Sequence, residues 1–443
     1  MSDQISPRDA FVEASVWHGS LDRASSLLSS HPEIARSDVH TAAILGDADG
    51  LTAWLAREPS AATATSGPLG WDALTHLCFS KFLRLDPARS AGFVRAATAL
   101  LDAGASANTG FFDERHQPSP EWESALYGAA GVAHHAGVTR VLLERGADPN
   151  DEEVPYHSPE THDNDTLKLL VESGRLTADS LATMLLRKAD WHDCDGLAYL
   201  LEHGADPNRM TRWHQTALHQ AVRRDNALRN IEVLLQHGAD PLLKTLHGGM
   251  SAASIAACRG RGDVLELLER RAVPLVFTGA ERLIAACARH DATAVEAIAR
   301  DEPALVREVV AAGGRLLAEF AGTANADGVG HLLDLGVDVA AKYDGDGYYE
   351  IARDSTALHV AAWKAWPNVV ALLIARGAPV NVVDGAGRTP LALAVKACVD
   401  SYWTHRRSPA SVEALLRAGA STDGVAFPSG YEDVDRLLRG STT

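Results

Sequence analysis

A leucine pair followed shortly by glycine recurs along the whole chain: LLDAGASAN (100–108), LLERGADPN (142–150), LLEHGADPN (200–208), LLQHGADP (234–241), LLDLGVDV (332–339), LLIARGAPVN (372–381) and LLRAGAST (415–422). In each copy the leucines close an apolar helix. The glycine supplies the left-handed residue that stops it, and the Asp-Pro or Pro-Val segment cannot continue it. A helix stop at regular intervals means that one unit is being copied. Such a unit cannot bury its apolar face alone, so its copies must stack around a continuous core. Leu234 and Leu372 are expected at the seams of this stack.

Upstream of several stops stands a second signature: DALTHL (72–77), SALYGA (124–129), TALHQA (216–221), TALHVA (356–361) and TPLALA (389–394). With it the chain resembles the ankyrin-repeat family, whose T-P-L-H-x-A opens the first helix of a unit of ~33 residues. The resemblance implies an all-α solenoid of stacked helix pairs with short finger loops. Its openings and stops divide residues 1–443 into a single array of roughly eleven or twelve units. An irregular unit is expected at 151–176. Residues 281–336 keep helical periodicity without the opening motif, and a bend is expected near 270–320. SPRD (6–9) is a helix start with Ser6 as N-cap and Pro7 at the first position. In the family the concave side, built from first helices and the loops between repeats, usually binds another protein. A bacterial subgroup carries segments much like YHSPE, LCFSK and ACVDSYW, and it supplies no chemistry.

Composition narrows the partners. Hydrophobic residues make up 46% and aromatics only 6%, the profile of closely packed short helices. A net charge of −17 opposes attachment to phosphate backbones and anionic membranes, so neither nucleic acid nor membrane is an expected partner. The cysteines, five and far apart, suggest neither a disulfide framework nor a zinc ribbon. No run approaches ~18 apolar residues. The expectation is a cytoplasmic protein without a cofactor.

One stretch breaks the pattern: DEEVPYHSPETHDND (151–165) occupies the place of a first helix. Pro155 and Pro159 break the available space, and DNDTLKLLVESG (163–174) supplies only the second helix. The reading is irregular chain over 151–162 and a notch walled by Tyr156, His157 and His162. Around it, first helices end in unusual segments. AHHAG contributes His134 and His135, KADWHD contributes Trp191 and His192, RRDN contributes Arg223 and Arg224, and WKAW and SYWTHRR contribute Trp363 and Trp403. These eleven residues are the candidate binding set, because exposed Trp, Tyr and Arg are the usual interface anchors.

Other features read as structural. His219 and His359 sit in T-A-L-H, where the ring bonds neighbouring repeats, and His203 and His237 lie at helix ends. No helical H-x-x-x-H pair is present, and no metal is expected. YDGDGYYE (343–350) lacks the ligand spacing of a calcium loop and reads as an extended loop tip. No P-loop, G-x-S-x-G or H-E-x-x-H sequence appears. Two functions follow. One is a recognition scaffold that binds a protein or peptide in its concave groove. The other is a small-molecule-binding protein or enzyme with a His/Trp/Arg pocket near 155–163.

Overall fold

A computed structural model describes residues 5–440 as an all-α repeat structure. The chain divides into two compact units, Met1–Asp240 and Pro241–Thr443.

In the first unit the helices are α1 (Pro7–Ser15), α2 (Leu21–Ser30), α3 (Val39–Leu45), α4 (Ala48–Arg57), α5 (Ala73–Cys78), α6 (Lys81–Leu85) and α7 (Ser90–Asp102). A hairpin of β1 (Gly110–Asp113) and β2 (Glu121–Ser124) follows, then α8 (Ala125–Tyr127), which runs into a π-turn, and α9 (Ala136–Glu144). The unit closes with α10 (Glu153–His157), α11 (Asp165–Glu172), α12 (Ala178–Asp190), α13 (Cys194–Glu202), α14 (Ala217–Arg223) and α15 (Leu228–Gln236). First helices α3, α5, α8, α10, α12 and α14 pack each against the next, and second helices form a row behind them.

The second unit holds α16 (Ala252–Cys258), α17 (Gly262–Arg270), α18 (Ala280–Ala288), α19 (Ala292–Asp301), α20 (Pro303–Ala311), α21 (Gly313–Gly322) and α22 (Ala326–Asp334). Short strands β3 (Lys342–Tyr343) and β4 (Ser355–Thr356) precede α23 (Ala357–Trp363), α24 (Pro367–Ala375), α25 (Pro390–Val399), α26 (Ala410–Arg417) and α27 (Glu432–Gly440). Here α16 packs against α18, and α21, α23 and α25 pack each against the next.

The recurring stop explains the core. In every copy the leucine four residues before the glycine is fully buried: Leu100, Leu142, Leu200, Leu234, Leu332, Leu373 and Leu415. Their glycines all lie at φ between 84° and 100°, where a Cβ would be strained. Leu372, expected at a seam, is only half-buried. The IARG segment is one residue longer than its counterparts, so the helical period turns Leu373 inward instead.

The asparagines that end four of these turns couple one repeat to the next. Asn208 Nδ2 donates to Gly238 O at 2.8 Å while its Oδ1 accepts from Asp240 N at 2.7 Å. Asn108 makes the same pair of bonds to Gly146 and Asp148, and Asn381 to Gly419 and Ser421. Asn150 reaches Arg175 O and Thr177 N. Each carboxamide satisfies backbone groups that the turn leaves unpaired.

Between the two helices of a unit the chain makes a tight reversal. A left-handed residue ends the first helix, and the next side chain caps the second. Asp47, Asp193, Asp291 and Asn325 cap in this way, bonding the backbone N–H three residues on. His219 and His359 cap the first helices of their own units from within, and His359 Nε2 also meets Arg388 O of the next repeat at 3.1 Å. Ser6 caps α1 through Asp9 N at 3.1 Å. The loop 343–350 is less extended than expected. Tyr349 turns back into the core of the second unit beside Trp363 and Ile351.

Candidate recognition site

Residues 151–162 are not irregular throughout. Asp151 Oδ1 accepts from Val154 N at 2.9 Å, and Glu152 turns the chain at φ 69°, starting the single turn of α10. Pro155 is tolerated because it lies in the first turn, where its absent N–H would have had no intrahelical partner. Val154, Pro155, Ser158 and Pro159 are buried, so they fill the space expected to be a notch.

His157 is clamped on both sides. Its Nε2 lies 3.1 Å from Glu153 Oε2 and its Nδ1 2.9 Å from Glu160 Oε2. Burial opposes the imidazolium, but these two carboxylates outweigh it and push the ring's pKa up to about 9. Glu160 also pairs with Arg187, whose Nε donates to Tyr156 O at 3.3 Å and whose Nη1 meets Asp190. Asp190 then accepts from Arg224 Nε at 3.0 Å and from Gln220 Nε2. One network therefore ties α10 through α12 to α14.

Rings follow the same path. Trp71 stacks on Phe111 at 4.0 Å, Phe111 meets Trp17 at 5.5 Å, and Trp17 meets Tyr127 at 6.3 Å. Tyr127 lies 5.2 Å from His157, which is 4.7 Å from Tyr156, and Tyr156 is 5.5 Å from Trp213. This strip runs along first-helix ends and finger loops. Three of the protein's own guanidinium groups lie on it. Arg115 is 5.2 Å above Trp17, Arg187 4.1 Å above Tyr156, and Arg212 4.7 Å above Trp213.

Carboxyl groups flank the rings. Strand alternation places Glu121 and Glu123 on the hairpin face that also carries Phe111 and Asp113. Glu123 is buried and its Oε2 has no hydrogen-bond partner among the described residues. Burial, reinforced by Glu153, Asp113 and Glu121, raises its pKa to about 8. Burial and a hydrogen bond to Glu153 also raise that of Glu121.

The other candidate residues fall into distinct settings. His134 and His192 hold left-handed turn positions at φ 49° and 54°, a conformation in which His is enriched. His135 is a second-helix cap: its Nδ1 accepts from Val138 N at 3.1 Å and its Nε2 lies 2.7 Å from Ser90 Oγ. The accumulation of histidine at this level is thus partly turn chemistry. His162 and Trp191 meet at 6.0 Å, and His162 borders a cleft of about 440 Å³ with Lys168 and Tyr199, residues of second helices. Arg223 is exposed. In the second unit, Trp363 was expected on a binding rim but is a core residue, 1% exposed, with Nε1 bonded to Tyr349 O at 2.6 Å. Trp403 is half-buried 5.8 Å from Tyr349, with Arg406 4.7 Å over its ring.

Glu121, Glu123, Glu153, Glu160 and Arg187 are not among the residues that the sequence singled out. Part of the signal was present, since Glu153 precedes His157 by four residues and Glu160 follows it by three, both helical spacings. Nothing local linked the hairpin carboxylates to α10.

Family comparison agrees with this architecture. A family model for ankyrin repeats in three copies matches residues 183–277, and one for a single ankyrin repeat matches 353–385. The chain contains ankyrin repeats. The interrupted unit at 151–176 lies outside both matched segments. Among solved structures, the ankyrin repeat domain of human ASB11 is 22% identical, covering 49% of this chain and 90% of that one at a TM-score of 0.37. No curated protein matches. An ankyrin-repeat protein is a scaffold of the kind that typically mediates protein–protein interaction. Among the described residues no three His, Cys, Asp or Glu side chains are placed to hold a metal ion, and no helix is long and apolar enough to cross a membrane.

Proposed function

We propose that the protein is a recognition scaffold whose first-helix face, at the interrupted repeat, binds a protein or peptide through Tyr156, His157 and the neighbouring Arg187 and Arg224. The observation that carries this reading is the clamp on His157 and Tyr156. The His157 ring held by Glu153 and Glu160, and the Tyr156 ring covered by the Arg187 guanidinium, lose little further freedom on binding, which favours affinity at small contact area. The reading extends to a single array in the cytoplasm, with the two units sharing one recognition role.

The test uses the full chain as bait, beside Tyr156→Ala with His157→Ala and a control pair, His203→Ala with His237→Ala. A partner captured by wild type and control, and bound at least about tenfold more weakly by the first pair in a direct titration, supports the site. Equal binding by both pairs removes it. A second reading, a small-molecule site, is favoured by the buried Glu123 carboxyl with its unpartnered oxygen beside Glu121 and Glu153. Native mass spectrometry of the purified protein would reveal a retained ligand, and loss of that mass in Glu123→Gln would support this reading.

A further inference from the structure

A cleft of about 510 Å³ opens at the far end of the ring strip from α10, lined by Trp17, His18, Trp71, Phe111, Asp113 and Arg115 among others. Its walls are fixed. Trp17 sits at the reversal after α1 with φ 36°, a strained conformation for a bulky residue, and its N–H bonds Phe79 O at 2.8 Å. That backbone constraint holds the indole against Phe79, Phe111 and Tyr127. Asp113 is held in β1 opposite Glu121, with its side chain 12% exposed.

The group inside is not fixed in the same way. Arg115 lies on the turn between β1 and β2, and its side chain is 63% exposed. It forks onto Asp113, Nε to Oδ1 at 2.8 Å and Nη2 to Oδ2 at 3.1 Å, while its guanidinium covers Trp17 at 5.2 Å. A half-buried carboxylate beside an aromatic face is the geometry that recognises a guanidinium in preference to an ammonium, because both oxygens and the flat ring are used at once. The cleft also carries Glu13 and Glu114, in a protein of net charge −17.

We propose that this cleft is the receptor for an arginine side chain on an extended basic segment of a partner protein, with Arg115 as the intramolecular stand-in that the partner's arginine displaces. This surface differs from the one around His157, so either reading can fail alone.

The probe is a fluorescent heptapeptide alternating glycine and arginine, titrated by anisotropy against the full chain at about 0.15 M salt. Arg115→Ala removes the competitor and should tighten binding by about three-fold or more. Arg140→Ala removes the same charge from an exposed position on α9 and should change nothing. Asp113→Asn should weaken binding about tenfold with an unchanged melt, and the lysine version of the peptide should bind more weakly than the arginine one. If Arg115→Ala binds no tighter than Arg140→Ala, if Asp113→Asn binds like wild type, if lysine serves as well as arginine, or if no variant binds the probe, the proposal fails.

Discussion

Lys188 Nζ lies 2.8 Å from Asp193 Oδ2 with no part of the lysine side chain exposed. The same ammonium donates to Thr161 O at 2.6 Å, and the same carboxylate accepts from Asn164 Nδ2 and caps α13 through Gly196 N. A charge taken wholly out of water is tolerable only with such complete pairing. The pair therefore pins the segment after α10 onto the next repeat. Replacing one partner strands the other, so Lys188→Met should cost about 3–5 kcal/mol, while Lys188→Met with Asp193→Asn should cost less than the two single losses added. Urea denaturation with hydrogen exchange over 151–200 measures both. Strict additivity would show that the two groups act independently.

Stability should fall as pH rises from about 6.5 to about 9. His157 titrates near 9 in the folded protein against an ordinary 6.5. The folded state thus keeps a proton that the unfolded state releases. This contribution is fully present below 6.5 and lost as pH climbs through 9. Glu123 acts in the same direction between its ordinary 4.5 and about 8, because its ionisation is disfavoured only in the folded protein. His157→Gln should flatten the upper part of the decline, worth about 3 kcal/mol at most, and Glu123→Gln the lower part. Thermal melts across pH 5–9.5 in roughly half-unit steps test this, and a His157→Gln profile parallel to wild type would be the contrary result.

Gly131 lies in the π-turn that ends the first helix before α9, and a Cβ there would come within 2.9 Å of His157 Cβ and 2.7 Å of the Tyr127 ring. Gly131→Ala should push the imidazole out of its clamp and bring its pKa back toward about 6.5. An NMR titration of the His157 ring protons reads this directly. A midpoint still near 9 would mean that the carboxylates follow the displaced ring.

Tryptophans of opposite exposure should separate core from recognition face. Trp363, 1% exposed, should cost about 3–5 kcal/mol as Ala, whereas Trp213, 37% exposed, should cost less than about 1 kcal/mol. Because repeats are stabilised by their neighbours, the Trp363 loss should appear first in hydrogen exchange of α21, α23 and α25. The reverse ranking in melts would overturn the assignment.

The sequence by itself determined the repeat. Left-handed glycine stops, T-A-L-H caps and Asn turns act within a few residues of their own position, so their spacing in the chain is also their spacing in the fold. It also marked the interrupted unit, since Pro155 and Pro159 limit helix locally. Tertiary structure alone decided which aromatic and charged residues meet. Whether Trp363 faced a partner or the core depended on Tyr349 folding back over it. The carboxylates of the β1–β2 hairpin reach His157 and Glu153 only because consecutive repeats stack side by side. Contacts of that kind join residues some thirty positions apart, a separation set by repeat stacking and beyond the reach of any local pattern.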